Sequence, residues 1–471
     1  MGRFINRESE LTALRRRLRR DSSLCLVYGQ RRVGKTFLLQ KLLQDDPDTV
    51  FFLGDETSSR ALLGRFVNQI RESRPDLLPP GFNDGADWQT TLAVLFHSAS
   101  TSNRRMVLVL DECQYLFAAA NSLPSVLQRL WDEYSNRSRV HLLLCGSALG
   151  VLAGLGESNQ PLHGRFDLKM KLSPFVCHES RLFASGWSPH DQFRLYGTFG
   201  GLARHLAVVD QSLSLGQNVC NEILDPLSAL HEAPYDILRS EHFSSYADAS
   251  AILEATAGGE NRFNAIAART GLKAARLDYV LKELLALELL TKETRFADRP
   301  GARFTRHECR DPFIAFWFRY VLPNRLAIQS TSPFRVWSER IEPLLDNYMG
   351  TIFQRVVRQA VLSGCLSREL GPVDEVGSYW SRDHKTEIDL IARGADCLVF
   401  IEVKWRKSQR VGLPALEQLR GHLNRCPLAR TNRSKRLCIA CNNGFTSALK
   451  KVAKEERIIL LDADALGYSS S

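Results

Sequence analysis

Leu24-Cys25-Leu26-Val27-Tyr28 runs straight into Gly29-Gln30-Arg31-Arg32-Val33-Gly34-Lys35-Thr36, and a helical stretch from Lys35 to Leu43 follows. A short, wholly apolar run of this kind reads as a strand buried on both faces. The eight residues after it fit GxxxxGK[ST] at every fixed position. Glycines let successive backbone N–H groups turn inward around phosphate oxygens, and the helix N-terminus adds its partial positive charge. On this reading Gly29, Gln30, Arg31, Arg32, Val33 and Gly34 cradle the phosphates of ATP. Lys35 reaches the β and γ phosphates, and the Thr36 hydroxyl ligates Mg²⁺.

The second half of such a site is an acid at the end of a neighbouring apolar strand. Met106 to Leu110 followed by Asp111 and Glu112 supplies it. Asp111 would hold the Mg²⁺ shell and Glu112 would polarise the attacking water. Val140 to Cys145 reads as a further strand, closed by Gly146 and by Ser147, which is placed to sense the γ phosphate. Arg165, in Pro161-Leu162-His163-Gly164-Arg165, is a candidate for an arginine acting on the phosphates, in cis or across a subunit interface. Another strand is expected at Val50 to Leu53, and Arg74 to Asp87, rich in Pro, Gly and Asp, reads as a surface loop. Apolar strands alternating with helices predict an α/β fold with a parallel sheet covered on both faces.

The whole chain has 471 residues, 44% hydrophobic and 24% charged, the balance of a globular protein of several domains. Wholesale disorder is excluded, and no run of about 18 apolar residues spans a membrane. Met1 to Glu10 lacks the apolar core of a secretory signal, which predicts a cytoplasmic protein. The formal charge of +10 favours polyanionic partners. Eleven cysteines, an odd number scattered through apolar stretches, read as reduced buried thiols. Cys438 and Cys441 form one CxxC without the rest of a zinc ligand set.

From Ser173 to about Ser245 the pattern is helical. Ala251 to Ala257, Phe263 to Arg269 and Lys273 to Leu287 suit three helices, and Leu289 to Thr294 with Ala302 to Thr305 could pair as a hairpin. That order spells a winged helix. Lys273, Arg276 and Lys282 on its third helix are candidates for phosphate contact, although winged helices also serve as plain protein contacts. Gln329 to Pro333 reads as a linker, Leu344 to Leu362 as a helix, and Glu387 to Ala392 and Cys397 to Trp405 as strands before a helix at Ala415 to Leu423.

Both of these strands alternate, so Glu387 and Asp389 share one face of the first and Glu402 and Lys404 share a face of the second. Paired as a hairpin, they bring Asp389, Glu402 and Lys404 together. Two carboxylates can hold a hard divalent cation, and a lysine beside them can orient water or offset phosphate charge. Arg355, Arg358, Lys404, Arg406, Lys407 and Arg410 would line a phosphate backbone track. A hairpin whose exposed face merely carries charges remains an open alternative.

Phe4-Ile5-Asn6-Arg7-Glu8, the Gly29–Thr36 loop, Leu110-Asp111-Glu112-Cys113-Gln114-Tyr115-Leu116 and Cys145-Gly146-Ser147 resemble the archaeal and bacterial AAA-type ATPase family, which is related to the signal-transducing NTPases. Asp311-Pro312-Phe313-Ile314-Ala315-Phe316-Trp317-Phe318-Arg319-Tyr320 resembles the junction to that family's C-terminal domain of unknown function. The pattern of Asp389, then Glu402 and Lys404, resembles the restriction-endonuclease-like nuclease fold, with Gln418 at a polar position of the following helix. That resemblance places an acid on the preceding helix where this chain has Gln354, and Glu387 stands where it could compensate.

The resemblance implies a P-loop ATPase core over 1–172, a helical lid over 173–245, a winged helix and junction over 246–328 and a nuclease-like α/β domain over 334–471. The leading reading of the residues is an ATPase working with or on DNA, with ATP and Mg²⁺ bound in the core and a second divalent cation at Asp389 and Glu402. In that reading the C-terminal domain either cuts nucleic acid or holds it without cutting. A nucleotide switch gating partner recognition and an ATPase remodelling proteins stand beside it, and a homo-oligomer is left open.

Overall fold

The computed structural model describes residues 4–82, 87–102, 104–147, 149–155, 157–158, 160–240, 243–299, 302, 304–383 and 385–468. The chain divides into two compact units, Met1–Pro174 with Leu202–Arg204, and Phe175–Gly201 with His205–Ser471.

In the first unit five strands, β1 (Ser23–Tyr28), β2 (Thr49–Leu53), β3 (Met106–Asp111), β4 (Val140–Gly146) and β5 (Leu168–Lys171), form one sheet in the order β2-β3-β4-β1-β5. Every pairing is parallel. Alternation along each strand sends residues to opposite faces. Leu24, Leu26, Leu108, Leu110, Leu142 and Leu144 meet Phe66, Leu92, Phe96 and Trp131 on one side. Cys25, Val27, Val107, Val109, Leu143 and Cys145 meet Leu11, Leu14, Leu38 and Leu39 on the other. Burial on both faces is why β1, β3 and β4 are continuous apolar runs; each fully buried Leu contributes about 2 kcal/mol.

β5 was not expected. Its sequence, Leu-Lys-Met-Lys, alternates because it lies at the sheet edge, where Lys169 and Lys171 point outward and discourage pairing with another chain. The expected surface loop from Arg74 begins as an anchored turn: Leu77 is buried, and Arg74 holds Asp76 through hydrogen bonds of 2.9 and 3.0 Å. Residues 83–86 of that loop lie outside the described residues.

The second unit opens with helices, among them Pro189–Phe199 and Ala233–Ser240. Helices Tyr246–Ala257, Phe263–Thr270 and Ala274–Ala286 follow, then an antiparallel hairpin of β6 (Leu290–Thr294) and β7 (Thr305–Cys309), a winged-helix arrangement. The return strand starts where the sequence reading ended it, because its inward positions are His307 and Cys309 rather than aliphatic residues. The expected linker is a two-residue break. Gln329 and Ser330 belong to the helix Arg325–Ser330, and the Ser332 side chain caps the next helix, Pro333–Val336.

A 21-residue helix, Glu342–Leu362, then leads to a mixed sheet of β8 (Glu375–Trp380), β9 (Glu387–Arg393), β10 (Cys397–Lys404), β11 (Ser434–Cys441) and β12 (Ile459–Leu461). Their order is β12-β11-β10-β9-β8, parallel from β10 to β12 and antiparallel from β8 to β10. Among the described residues no helix is long and apolar enough to cross a membrane.

Candidate functional site

The phosphate loop leaves β1 under tight constraint. Leu172 donates its N–H to the Tyr28 carbonyl at 2.7 Å, so its own carbonyl would lie 2.2 Å from a Cβ at position 29. Only glycine fits there. Arg32 and Gly34 adopt φ of 67° and 99°, which turns the backbone before the helix Lys35–Leu42 begins, while Val33 is buried as the anchor between them. Lys35 is 4% exposed, and its Nζ donates to the Gly29 and Gln30 carbonyls, both at 3.0 Å. Burial pulls the Lys35 ammonium below its ordinary value, against the opposing fields of Glu112 and Asp111.

Thr36 donates its hydroxyl to Asp111 Oδ2 at 2.6 Å, and Asp111 Oδ1 accepts the Glu112 N–H at 2.9 Å. Asp111 is fully buried at the end of β3. Glu112 follows with φ 49°, which swings its side chain toward the end of β4. There Ser147 donates to Glu112 Oε2 at 2.9 Å, and the Gln114 amide nitrogen donates to the same oxygen and to Ser147 Oγ at 3.2 Å. A hydroxyl and a carboxylate so close together form a hard oxygen pair, the donor chemistry that suits Mg²⁺ completed by phosphate oxygens.

The expected residues Lys35, Thr36, Asp111, Glu112 and Ser147 therefore converge at the carboxyl ends of β1, β3 and β4, the usual ligand position of such a sheet. Arg165 is placed differently. Its Nε and Nη2 hold Asp132 at 2.6 and 2.7 Å, and Nη1 donates to the Pro161 and His163 carbonyls. The sequence reading missed three participants. Gln114 is one, and Tyr115, whose hydroxyl accepts from Arg31 at 2.7 Å, is another. Arg204 is the third; its N–H donates to the Arg32 carbonyl at 3.4 Å and its side chain is exposed. The loop side of both contacts was legible, but Arg204 is too distant in sequence to be paired with it.

In the second unit β9 and β10 pair as far as Ile401 opposite Leu390, one residue short of Glu402 and Asp389. Glu402 is 2% exposed. Asp389 Oδ2 accepts the Val403 N–H at 2.8 Å, and Lys404 Nζ lies 2.6 Å from Glu402 Oε1 and 3.1 Å from Gln418 Oε1. Burial, and then the facing Glu402, push the Asp389 carboxyl well above the ordinary carboxylate range, with the Val403 amide and the Lys404 ammonium opposing. Gln354 donates to the Asp389 carbonyl at 2.7 Å and so braces the strand rather than presenting a ligand.

Glu387 does not compensate, because Arg306 of β7 holds it at 2.7 and 3.2 Å. Among the described residues no group of three His, Cys, Asp or Glu side chains is arranged around a metal position. Two carboxylates with a lysine still suit a cation that takes its remaining ligands from water or phosphate. The expected phosphate track is shorter than its sequence. Arg355 donates to the Cys309 and Arg310 carbonyls at 2.9 Å, and Arg358 is bound to Glu293 and Ser378. Both are structural. Lys407 and Arg410 are exposed.

The parallel sheet, the Gly29–Thr36 loop and the acid pair ending β3 make the first unit a P-loop ATPase fold, joined in one chain to a separate C-terminal α/β sheet. Residues 4–209 match the profile of an ATPase domain predominantly from Archaea, and residues 317–413 match that of archaeal and bacterial proteins of unknown function. The chain is 26% identical over 414 residues to the uncharacterized protein MJECL04 of Methanocaldococcus jannaschii, covering 86% of this chain and 88% of that one. Over 43 residues it is 44% identical to the uncharacterized ATP-binding protein MJ0423 of the same organism, 9% of this chain and 73% of the relative. Among solved structures it is similar to the Walker-type ATPase paby2304 of Pyrococcus abyssi. That likeness has a TM-score of 0.50 at 17% identity, covers 67% of this chain and 96% of that one, and is a likeness of fold.

Proposed function

We propose that this chain binds Mg-ATP at residues 29–36 and hydrolyses its γ-phosphate. The observation that carries this is the meeting of the Lys35 ammonium, the Thr36 hydroxyl and the Asp111 and Glu112 carboxylates at one end of the sheet. Mg²⁺, when bound, would offset charge on the β and γ oxygens. Thr36 and Asp111 would hold it. Lys35 would exchange its two backbone carbonyls for phosphate oxygens, and the N–H groups of residues 29–34 would cradle the chain of phosphates. Glu112 takes the proton of the attacking water, and Ser147 fixes the carboxylate that does so. Arg165 would act on the phosphates only after leaving Asp132. Steady-state ATP turnover tests this: Glu112→Gln should lower kcat by about a hundredfold or more while ATP is still bound.

We assign residues 1–172 to the ATPase core, 173–245 to a helical lid, 246–328 to the winged helix and junction, and 334–471 to a nuclease-like domain. In the last, Asp389 and Glu402 would hold a second divalent cation and Lys404 would offset phosphate charge, so that the chain works with or on DNA. A second reading is a nucleotide switch whose C-terminal domain holds nucleic acid or protein without cutting. It draws support from Gln354 and Glu387, neither of which offers a free carboxylate to the pair. Mg²⁺-dependent nicking of DNA that Asp389→Ala abolishes would favour the first; tight ATP retention without nicking would favour the second.

A further inference from the structure

We propose that Gln114 is the positioning residue of the hydrolytic site: its amide aims the Glu112 carboxylate, so that Glu112 Oε1 is the atom that receives the water's proton. This rests on the reading of the first unit as an ATP hydrolase and adds a residue to it.

Three contacts close a small ring. Ser147 Oγ donates to Glu112 Oε2 at 2.9 Å, Gln114 Nε2 donates to Ser147 Oγ at 3.2 Å, and Gln114 Nε2 also donates to Glu112 Oε2. A carboxylate only accepts, so the nitrogen end of the amide must face it. The two amide hydrogens are thereby spent on two acceptors. Oε2 takes both donors, and Oε1 is the oxygen left for a proton.

The amide is also held from behind. Gln114 Oε1 is buried with no hydrogen-bond partner and rests over Gly146, where a Cβ would approach it to 2.1 Å. Gly146 is therefore the seat of Gln114. A buried unpaired carbonyl is costly, and it persists here because the opposite end of the same amide is bound to a charged group. Glu112, at φ 49°, turns its side chain toward the end of β4 without capping the helix that follows. The ring then fixes which carboxylate oxygen faces which way.

In the step itself, the water oxygen bonds to the γ phosphorus while one of its protons moves to Glu112 Oε1. The bond from that phosphorus to the bridging oxygen breaks, and ADP leaves with its electron pair. Gln114 touches none of these atoms and acts through Glu112.

The experiment is a double-mutant cycle on the full chain, reading kcat and KM for ATP together with nucleotide affinity by fluorescent-ATP titration. Gln114→Met keeps the shape over Gly146 and removes the donor. It should lower kcat roughly tenfold to a hundredfold with KM and ATP affinity within about twofold. In a Glu112→Gln background the same change should cause no further loss, since its effect runs through that carboxylate. Gln114→Glu, also of the same shape, should repeat the loss. An unchanged kcat in Gln114→Met overturns the proposal, and so does an equal fractional loss with and without Glu112. Where the parent's turnover is itself indifferent to Glu112→Gln, the hydrolytic reading fails first and takes this inference with it.

Discussion

Arg306 grips both oxygens of Glu387, at 2.7 and 3.2 Å, while its guanidinium lies 4.2 Å above the Trp380 ring. One residue of the wing hairpin thus ties β7 to β8 and β9 and withdraws a carboxylate that shares a face with Asp389. Near β8 the hold is repeated: Phe296 donates its N–H to the Ser378 carbonyl at 2.8 Å, and Glu293 accepts the Ser378 N–H at 3.2 Å. Among the described residues, the wing hairpin is thus bound to β8 and β9 of its own chain.

If Asp389 and Glu402 hold a cation, Arg306→Ala should release Glu387 to join them. Calorimetric titration with Mn²⁺ should then show affinity rising by about tenfold, because ligand charge count sets the strength of such sites. Unchanged or weaker binding would contradict this use of Glu387.

The third helix of the winged unit is nearly neutral in effect. Arg276 is paired with Asp248 and Lys282 with Asp278, each at 2.7 Å. These ion pairs offset the charges of Arg276 and Lys282, while Lys273 is exposed at the start of the helix. Arg276→Ala with Lys282→Ala should leave DNA affinity within about twofold and the salt dependence of binding unaltered. A slope lower by about one or two would show that these residues do meet phosphates.

Burial raises the Asp311 carboxyl to about 6, against the Phe313 N–H that it caps at 2.8 Å and the nearby Arg355. A carboxyl raised in the fold favours the protonated form. Its contribution to stability is present below about pH 4 and is lost as the pH climbs through 6, where ionisation costs about 3 kcal/mol in full. Asp311→Asn keeps a cap acceptor and removes the charge. Urea denaturation from pH 4 to 8 should find the variant more stable than the parent at pH 8, by up to about 2 kcal/mol, and flatter across the range. A parent and variant that run parallel with pH would refute the assignment.

What could be read in advance follows from burial geometry. β1, β3 and β4 carry apolar residues on both faces and announce themselves, and the Gly29–Thr36 loop sits between two such signals. β5 and β8 are edge strands, and their mixed sequences, Leu-Lys-Met-Lys and Glu-Val-Gly-Ser-Tyr-Trp, carry no such run. The approach of Asp389 to Glu402 was legible because alternation fixes faces within a hairpin. The commitments of Arg355, Arg358, Glu387 and Arg165 were not, since each partner lies on another element and no local period encodes it. Gln114 was hidden for the same reason: Ser147, its second acceptor, is 33 residues away.

Lys35 is bound to the Gly29 and Gln30 carbonyls at 3.0 Å, and under the proposed function it would exchange them for ATP phosphates. Titration of the full chain with fluorescent ATP and Mg²⁺ tests it most directly. The parent should bind saturably, and Lys35→Ala should weaken that binding by roughly tenfold or more, in line with loss of a charge-assisted contact. Equal affinity in parent and variant, or no saturable binding in the parent, would contradict it.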